Sequence, residues 1–247
     1  MLKPIGSAYR TKTLEFDDGA PRLREIELPA ATSEDIEATV KVMGGEDWAR
    51  WVDALETRGL LRAGFTTVAL SYIGSPLTSA IYRQGSIGAA KTHLEVTAAA
   101  LDARLSARHG GRAVTSINAA TVTQASTVIP GIALYLSLLR AVMSAGMPSP
   151  AAQLLDLWDQ LTGARSMDLD ERGRIRLDRQ ELADDVQTAV AERWAAATPA
   201  NIAELADTEW FRAEVHRLHG FAVPGVDYDR PVDPDLAWPT ANTARAG

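Results

Sequence analysis

The chain has 247 residues, of which 46% are hydrophobic, a formal net charge of −7 and no cysteine. This length can bury the core of one large domain or of one and a half smaller ones. The absence of cysteine excludes disulfides, a thiolate nucleophile and cysteine-ligated metals. The net negative charge does not indicate a protein that binds nucleic acid through a basic surface.

Residues 1–62 are predicted to form a hairpin and two helices on the substrate side of the protein. A turn at Asp17-Asp18-Gly19 separates two mixed apolar and charged runs, which is typical of a hairpin over 14–28. Thr32-Ser33 precedes acidic residues and is an N-cap signature for a helix over 31–41. Apolar residues at helical spacing predict a second helix over 48–61.

Residues 63–148 alternate strand-like and helix-like runs. The predicted elements are a strand at 66–71, a helix at 87–107, a strand at 112–118, a loop at 119–128 and a helix at 130–143. This order predicts an α/β fold with a parallel, partly Rossmann-like sheet flanked by helices. Ligands of such sheets bind beyond the carboxyl ends of the strands, where Tyr72, Tyr82 and Thr123 fall.

Residues 149–222 are predicted to form additional C-terminal helices. The predicted elements are a helix at 151–161, a charged hairpin around 170–173, and helices at 180–198, 199–205 and 208–218. Residues 223–247 are rich in proline, aspartate and alanine, so we expect a tail that wraps the surface or is disordered.

The chain shows no targeting or membrane segment in its sequence. Its first residues, Met1-Leu2-Lys3-Pro4-Ile5-Gly6, lack the apolar run of a signal peptide. The longest apolar stretch, residues 128–139, is too short to span a bilayer and contains Pro130. We therefore expect a cytoplasmic protein.

Tyr82 and Lys91 form the most informative pair of residues. A phenol is a poor acid at neutral pH unless a cation stabilises its phenolate, so this pairing suggests acid catalysis. One continuous helix would put the two side chains on opposite faces. Gly85 and Gly88 instead suggest that Tyr82 lies on a loop, that a helix begins after Ser86 as its N-cap, and that Lys91 points back from the second turn.

The surrounding sequence resembles the FabV-type trans-2-enoyl-ACP/CoA reductases, relatives of the short-chain dehydrogenases with a Tyr-x8-Lys signature. The resemblance covers nearly the whole chain. It rests on blocks that occur in one order, at residues 2–6, 42–48, 71–74, 85–91, 122–126, 129–130 and 226–229.

This resemblance implies an NADH-dependent reduction of the 2,3 double bond of a trans-2-enoyl thioester in fatty acid synthesis. Tyr82 matches the catalytic tyrosine, and Lys91 matches the lysine that holds the nicotinamide ribose. Tyr72 matches a substrate-contacting tyrosine. The residues that match the stretch at the nicotinamide end of the cofactor are Ala120, Thr121, Val122 and Thr123. In this mechanism Lys91 would also lower the pKa of Tyr82. The thioester would be carried by CoA or by acyl carrier protein.

The chain departs from the family pattern at three places. Ser79-Ala80 stand where the family often has Trp-Pro, and Thr92 stands where many members have a second lysine. No glycine-rich dinucleotide loop follows a strand-like run, and Gly85-Ser86-Ile87-Gly88 has the wrong spacing. We therefore expect the chain to begin after the family's nucleotide-binding half.

Two other functions stay open at this point. The chain could be a redox-inactive remnant or an acyl-thioester-binding module, which would need a separate nucleotide-binding chain for reduction. An unpaired sheet edge in such a half would have to be covered by a partner. A dehydrogenase that acts on another carbonyl substrate through the same Tyr and Lys is a further alternative.

The remaining motifs are interpreted as structural. Residues 168–173 begin like an EF-hand loop, but arginines stand where oxygen ligands are needed. His216 and His219 could share a metal, yet spacing marks no third ligand, so we expect no metal site. Gly44 to Trp48 is interpreted as a boundary between two helices, with ligand contact by Glu46 or Asp47 as the alternative.

Overall fold

The structure is a computed structural model that describes residues 2–17, 19–233 and 235. The strands within these residues are β1 (Tyr9–Asp17), β2 (Ala20–Leu28), β3 (Thr66–Ser71), β4 (Arg112–Ile117) and β5 (Ile175–Arg176). The helices are α1 (Ser33–Met43), α2 (Glu46–Thr57), α3 (Ser86–His109), α4 (Ile132–Met143), α5 (Pro150–Thr162), α6 (Asp184–Ala196), α7 (Ile202–Leu205) and α8 (Thr208–Leu218).

The N-terminal hairpin and helices confirm the sequence prediction. β1 and β2 pair antiparallel from Tyr9 opposite Leu28 to Asp17 opposite Ala20. Thr32 caps α1: its hydroxyl accepts from the Asp35 N–H at 3.1 Å, and the Asp35 carboxylate accepts from the Thr32 N–H at 3.0 Å. α1 and α2 meet in the segment predicted as a helix boundary.

A parallel sheet in the order β3-β4-β5 confirms the predicted α/β class. β3 pairs with β4 over its whole length, and β5 adds a short parallel pairing in which Ile117 faces Arg176. α3 crosses over from β3 to β4 and ends at Gly110, whose left-handed φ of 61° ends the helix. The carboxyl ends of β3 and β4 therefore lie at one edge of the sheet.

Several predicted boundaries were wrong, and one strand was not predicted: α2 ends at Thr57 rather than at residue 61, and α7 begins at Ile202 rather than at residue 199. α4 begins at Ile132, so Pro130 precedes the helix and its N-cap, Gly131, rather than lying in the first turn. The turn at 170–173 is present, but it leads into β5, which was not predicted. Since β5 consists of two residues held by pairing with β4, local periodicity could not reveal it. α6 begins at Asp184 rather than at Gln180, because residues 179–182 form turns in which Glu181 is buried.

The main core surrounds α4. Its side chains are buried on all sides, from Ile132 to Leu139, as expected of a helix inside a fold. The hairpin contributes Leu14 and Leu23 to this core, and α6 and α8 contribute Val190 and Phe211. The C-terminal helices α6 and α8 therefore pack against α4 in this core.

A partly buried ion cluster joins the turn after Tyr82 to α3 and to the approach to β5. Glu95 on α3 accepts two hydrogen bonds from Arg83, at 2.7 and 3.0 Å, and one from Arg174 at 2.9 Å. Arg174 also pairs with Asp170 at 2.7 Å. Burial alone would raise the pKa of Glu95, but the two arginines hold it below its ordinary value.

Two aspartates of the EF-hand-like segment, residues 168–173, pair with arginine side chains. Asp170 pairs with Arg174, and Asp168 is held by Arg179 at 2.6 Å. The described residues contain no group of three or more metal-ligating side chains. None of the described helices is both long and apolar enough to cross a membrane. Residues 223–233 are exposed and form no helix or strand, and most of the predicted tail beyond them lies outside the described residues.

Candidate active site

A cavity of about 890 Å³ lies at the carboxyl ends of β3 and β4. Tyr72 enters it directly after β3, and Asn118, Ala119 and Ala120 enter it directly after β4. An apolar rim is formed by Val42 and Met43 of α1 and by Val128 and Ile129 ahead of α4. The cavity is thus polar at the sheet edge and apolar at its mouth.

The structure brings most of the predicted site residues to this cavity. Those that line it are Tyr72, Tyr82, Lys91, Ala120, Thr121 and Thr123. Val122 does not: its side chain is buried in the core around α4. Val122 therefore contributes to packing around α4 rather than to the lining of the cavity.

Two glycines bring Tyr82 close to the start of α3. A Cβ at Gly88 would overlap the carbonyl oxygens of Tyr82 and Arg83, so the first turn of α3 packs directly on the turn that carries Tyr82. Gly74, at φ +78°, lies under the Tyr82 ring, and a Cβ there would be 2.8 Å from the Tyr82 Cβ. The N-cap of α3 is Gly85 rather than Ser86, which is the first helical residue. Lys91 follows in the second turn, as predicted.

Tyr82 is held as a neutral phenol. Its ring meets Tyr72 edge to face, with ring centroids 5.1 Å apart and an angle of 86°. Burial raises the pKa of Tyr82 well above its ordinary value, and the negative charge of Glu181 raises it further. This direction is opposite to the predicted lowering by Lys91.

Lys91 presents its ammonium group to the cavity. It is half-buried and forms no hydrogen bond or ion pair with another residue in the described part of the chain. Burial lowers the pKa of Lys91, and the charge of Glu95 opposes this effect. Thr92 beside it bonds to its own helix, with its hydroxyl 2.9 Å from the Gly88 carbonyl oxygen. Lys91 therefore supplies a positive charge in the wall of the cavity, where a ligand can contact it.

Glu181 was missed by the sequence analysis. It is buried, with 1% of its surface exposed, and one carboxylate oxygen accepts from the hydroxyls of Tyr72 at 3.0 Å and Tyr135 at 2.8 Å. The other oxygen accepts from the Ala120 N–H. In the sequence it looks like one more acidic residue near a helix start, so no local signal marks it. Burial raises the pKa of Glu181 to about 7, although these three donors favour the charged form.

The described residues fit the nicotinamide-ribose end of NADH. An ammonium group and the polar side chains of Asn118, Thr121 and Thr123 line a cavity beyond parallel strands, where dinucleotides bind. The glycines that open α3 do not form a pyrophosphate loop, because a Cβ at Gly85 would meet the carbonyl oxygens of Ile81 and Lys3 at 2.5 and 2.9 Å. The space beside Gly85 is filled by the protein's own backbone at Ile81 and Lys3 and is not open to a phosphate group.

Comparison with known families identifies the chain. A family model described as the trans-2-enoyl-CoA reductase catalytic region matches residues 1–161. The chain belongs to this family. It is 62% identical over 240 residues to the enoyl-acyl-carrier-protein reductase (NADH) of Streptomyces avermitilis, covering 97% of this chain and 61% of that protein.

Two further relatives agree. The enoyl-acyl-carrier-protein reductase (NADH) of Burkholderia pseudomallei is 46% identical over 241 residues, covering 96% of this chain and 60% of that protein. The crystal structure of Treponema denticola trans-2-enoyl-CoA reductase in complex with NAD has a TM-score of 0.85 and 40% identity, covering 94% of this chain and 58% of that one. The chain therefore spans about 60% of the length of these relatives.

A second family model, described as an enoyl reductase FAD binding domain, matches residues 169–232. The connection into α6 within this segment does not fit the pyrophosphate of a flavin dinucleotide. The connection from β5 to α6, residues 177–183, contains no glycine and carries Asp178 and Glu181, and α6 opens with Asp184 and Asp185. Asp184 and Asp185 would repel a pyrophosphate at this helix start, whereas Asp178 and Glu181 already have partners within the protein. The described residues that line the cavity include none from this segment.

We predict that Gly88→Ala destabilises the protein by about 1–3 kcal/mol and displaces Tyr82, because the new methyl group overlaps backbone atoms that cannot rotate away. Chemical denaturation measures the free energy of unfolding. Gly146→Ala is the control, since a Cβ there meets no atom within 4 Å. Equal stability of the two variants would show that α3 does not pack against the Tyr82 turn as described.

We predict that protonation of Glu181 makes folding stability depend on pH. Because its pKa rises from 4.5 to about 7 on folding, the folded state binds more protons, so stability is lost as pH rises through this range. Relative to Glu181→Gln, the wild type should lose on the order of 3 kcal/mol between pH 4.5 and 7. Denaturation at several pH values measures this difference. The exposed Glu192→Gln is the control and should follow the wild type.

Proposed function

We propose that this chain carries the reducing site of an NADH-dependent enzyme that reduces the 2,3 double bond of trans-2-enoyl thioesters in fatty acid synthesis. The observation that carries this proposal is the convergence of Tyr72, Tyr82, Lys91 and the segment after β4 on one cavity. The relatives' names favour a reductase over a redox-inactive acyl-binding module. They also name both carriers of the thioester, acyl carrier protein and CoA.

Tyr82 would donate a hydrogen bond to the thioester oxygen. The hydride that reaches the β-carbon of the substrate would come from bound NADH, and negative charge then develops on that oxygen. Since burial and Glu181 hold Tyr82 as a neutral phenol, its proton is present at neutral pH. A donor fixed at the place where charge develops stabilises the transition state. Completion of the reaction requires a proton at the α-carbon.

Lys91 and the segment after β4 would hold the cofactor. The Lys91 ammonium supplies donors for ribose hydroxyls and a positive charge in the cavity wall. Thr121 and Thr123 supply polar groups beside it. The Ala120 N–H is already bonded to Glu181, so Ala120 would take part through its carbonyl oxygen and its position.

Tyr72 and the apolar rim would hold the acyl group. Tyr72 packs against Tyr82, so an acyl chain beside Tyr72 would lie next to the Tyr82 ring. Val42 and Val128 at the mouth are 75% and 77% exposed. Covering such side chains with a hydrocarbon chain removes apolar surface from water, which stabilises the complex.

We predict that Tyr82→Phe lowers kcat for NADH-dependent reduction of crotonyl-CoA about 100- to 1,000-fold with little change in KM, as removal of one oxyanion donor does elsewhere. Loss of NADH absorbance measures turnover. Tyr228→Phe is the control, because Tyr228 lies on the exposed C-terminal segment outside the cavity. A wild-type chain without turnover, or a Tyr82→Phe variant as active as the control, would contradict the proposal.

We predict that Lys91→Met raises the KM for NADH at least about tenfold, because a hydrogen bond to a charged group contributes about 1.5–3 kcal/mol. The KM for crotonyl-CoA should change less. Steady-state kinetics with each substrate varied in turn separate the two effects. Lys41→Met, at the exposed end of α1, is the matched control. An unchanged KM for NADH would exclude Lys91 from cofactor binding.

A further inference from the structure

The Tyr72 hydroxyl is the point where the buried Glu181 carboxyl group meets the cavity. One carboxyl oxygen accepts from Tyr72 at 3.0 Å and from Tyr135 at 2.8 Å, and the other accepts from the Ala120 N–H. Tyr135 is fully buried and Ala120 bonds through its backbone, whereas the Tyr72 side chain is partly exposed to the cavity. Of these three donors, Tyr72 is the one whose hydrogen bond can be redirected toward a substrate.

A phenol has a single hydrogen to donate, so the state of Glu181 decides where it goes. An ionised carboxylate only accepts, and the Tyr72 hydrogen is then used on Glu181, leaving oxygen lone pairs toward the cavity. A protonated carboxyl group has one O–H to donate. The Ala120 N–H cannot turn away, so it keeps the second oxygen as an acceptor. The proton is then carried by the other carboxyl oxygen, the one that accepts from Tyr72 and Tyr135 in the ionised state. The resulting O–H can donate a hydrogen bond to the Tyr72 oxygen.

We propose that Glu181 is a positioning residue that sets the direction of the Tyr72 hydroxyl: protonated Glu181 turns the Tyr72 O–H toward the thioester oxygen, and ionised Glu181 withdraws it. This inference rests on the proposed function for its substrate, but the arrangement itself is a property of the free protein. Tyr72 would then act as a second donor beside Tyr82 when Glu181 is neutral.

The groups that face Glu181 make this exchange possible near neutral pH. They are Tyr72 after β3, Tyr82 in the turn before α3, Tyr135 on α4 and Asp178 after β5. Burial raises the pKa of Glu181 to about 7, the Ala120 N–H and the two bonded hydroxyls oppose this, and the charge of Asp178 adds to it. Neutral Glu181 also removes a charge that raises the pKa of Tyr82, so both tyrosines become better donors together.

Glu181→Gln imitates the protonated state with nearly the same shape. Its amide oxygen can accept from the Ala120 N–H while its NH₂ group donates to the tyrosine oxygens, so each existing partner keeps a hydrogen bond. The variant is therefore expected to fold. Glu192→Gln on the exposed face of α6 makes the same chemical change away from the cavity.

The first experiment is the pH profile of kcat with crotonyl-CoA and NADH. For the wild type and Glu192→Gln, we expect kcat to fall about tenfold between one pH unit below and one unit above the Glu181 pKa, as for activity of a single protonated form. Glu181→Gln should keep the low-pH rate across this range. When Tyr72 is replaced by Phe, the chain with Glu181 and the chain with Glu181→Gln should have the same pH profile of kcat. A Glu181→Gln profile that falls like the wild type would overturn the proposal.

The second measurement needs no substrate. Infrared difference spectra between low and high pH should show a protonated carboxyl band that titrates near pH 7 and is absent in Glu181→Gln. A tyrosine band should shift with it and be absent in Tyr72→Phe. These two bands without turnover would support the Glu181–Tyr72 exchange while contradicting the proposed reductase function. Turnover in a protein that lacks both bands would overturn the exchange and leave the reductase function standing.

Discussion

The arrangement of the site depends on one buried carboxyl group. Glu181 lies between β5 and α6 and bonds to the segment after β3 through Tyr72, to the segment after β4 through Ala120, and to α4 through Tyr135. A buried carboxyl group is costly unless its oxygens find donors, so these three partners stabilise it while it fixes them. Through Glu181 the C-terminal region, whose described residues do not line the cavity, thereby contacts three segments that do.

Close backbone contacts support the opposite wall. Gly88 allows α3 to pack on the turn that carries Tyr82, and Gly74 lies beneath the tyrosine ring. Glu95 then ties this turn to α3 and to the approach to β5 through Arg83 and Arg174. A hydrogen-bond donor held by such packing suits the oxyanion stabilisation that we propose for Tyr82.

The electrostatics of the site change the role that the sequence suggested for Tyr82. A tyrosine beside a lysine suggests a lowered pKa, but burial and the Glu181 charge hold the phenol neutral. A neutral phenol is a hydrogen-bond donor, which suits stabilisation of a developing oxyanion. Lys91 remains a partly buried cation in the wall, with the apolar rim beyond it. The geometry therefore places six of the predicted site residues around one cavity, while the pKa of Tyr82 shifts in the direction opposite to the predicted one.

The sequence by itself determined the features that depend on residues close together in the chain. The hairpin, the Thr32 cap of α1 and the β3-α3-β4 order follow from turn residues and periodicity, and the Tyr-x8-Lys pair and its neighbours indicated the family and six of the residues that line the cavity. Tertiary structure decided the rest. β5 exists through pairing with β4, Val122 turns into the core, and Glu181 meets Tyr72 across 109 residues of sequence. Burial and long-range hydrogen bonds create these features, and neither leaves a periodic signal along the chain.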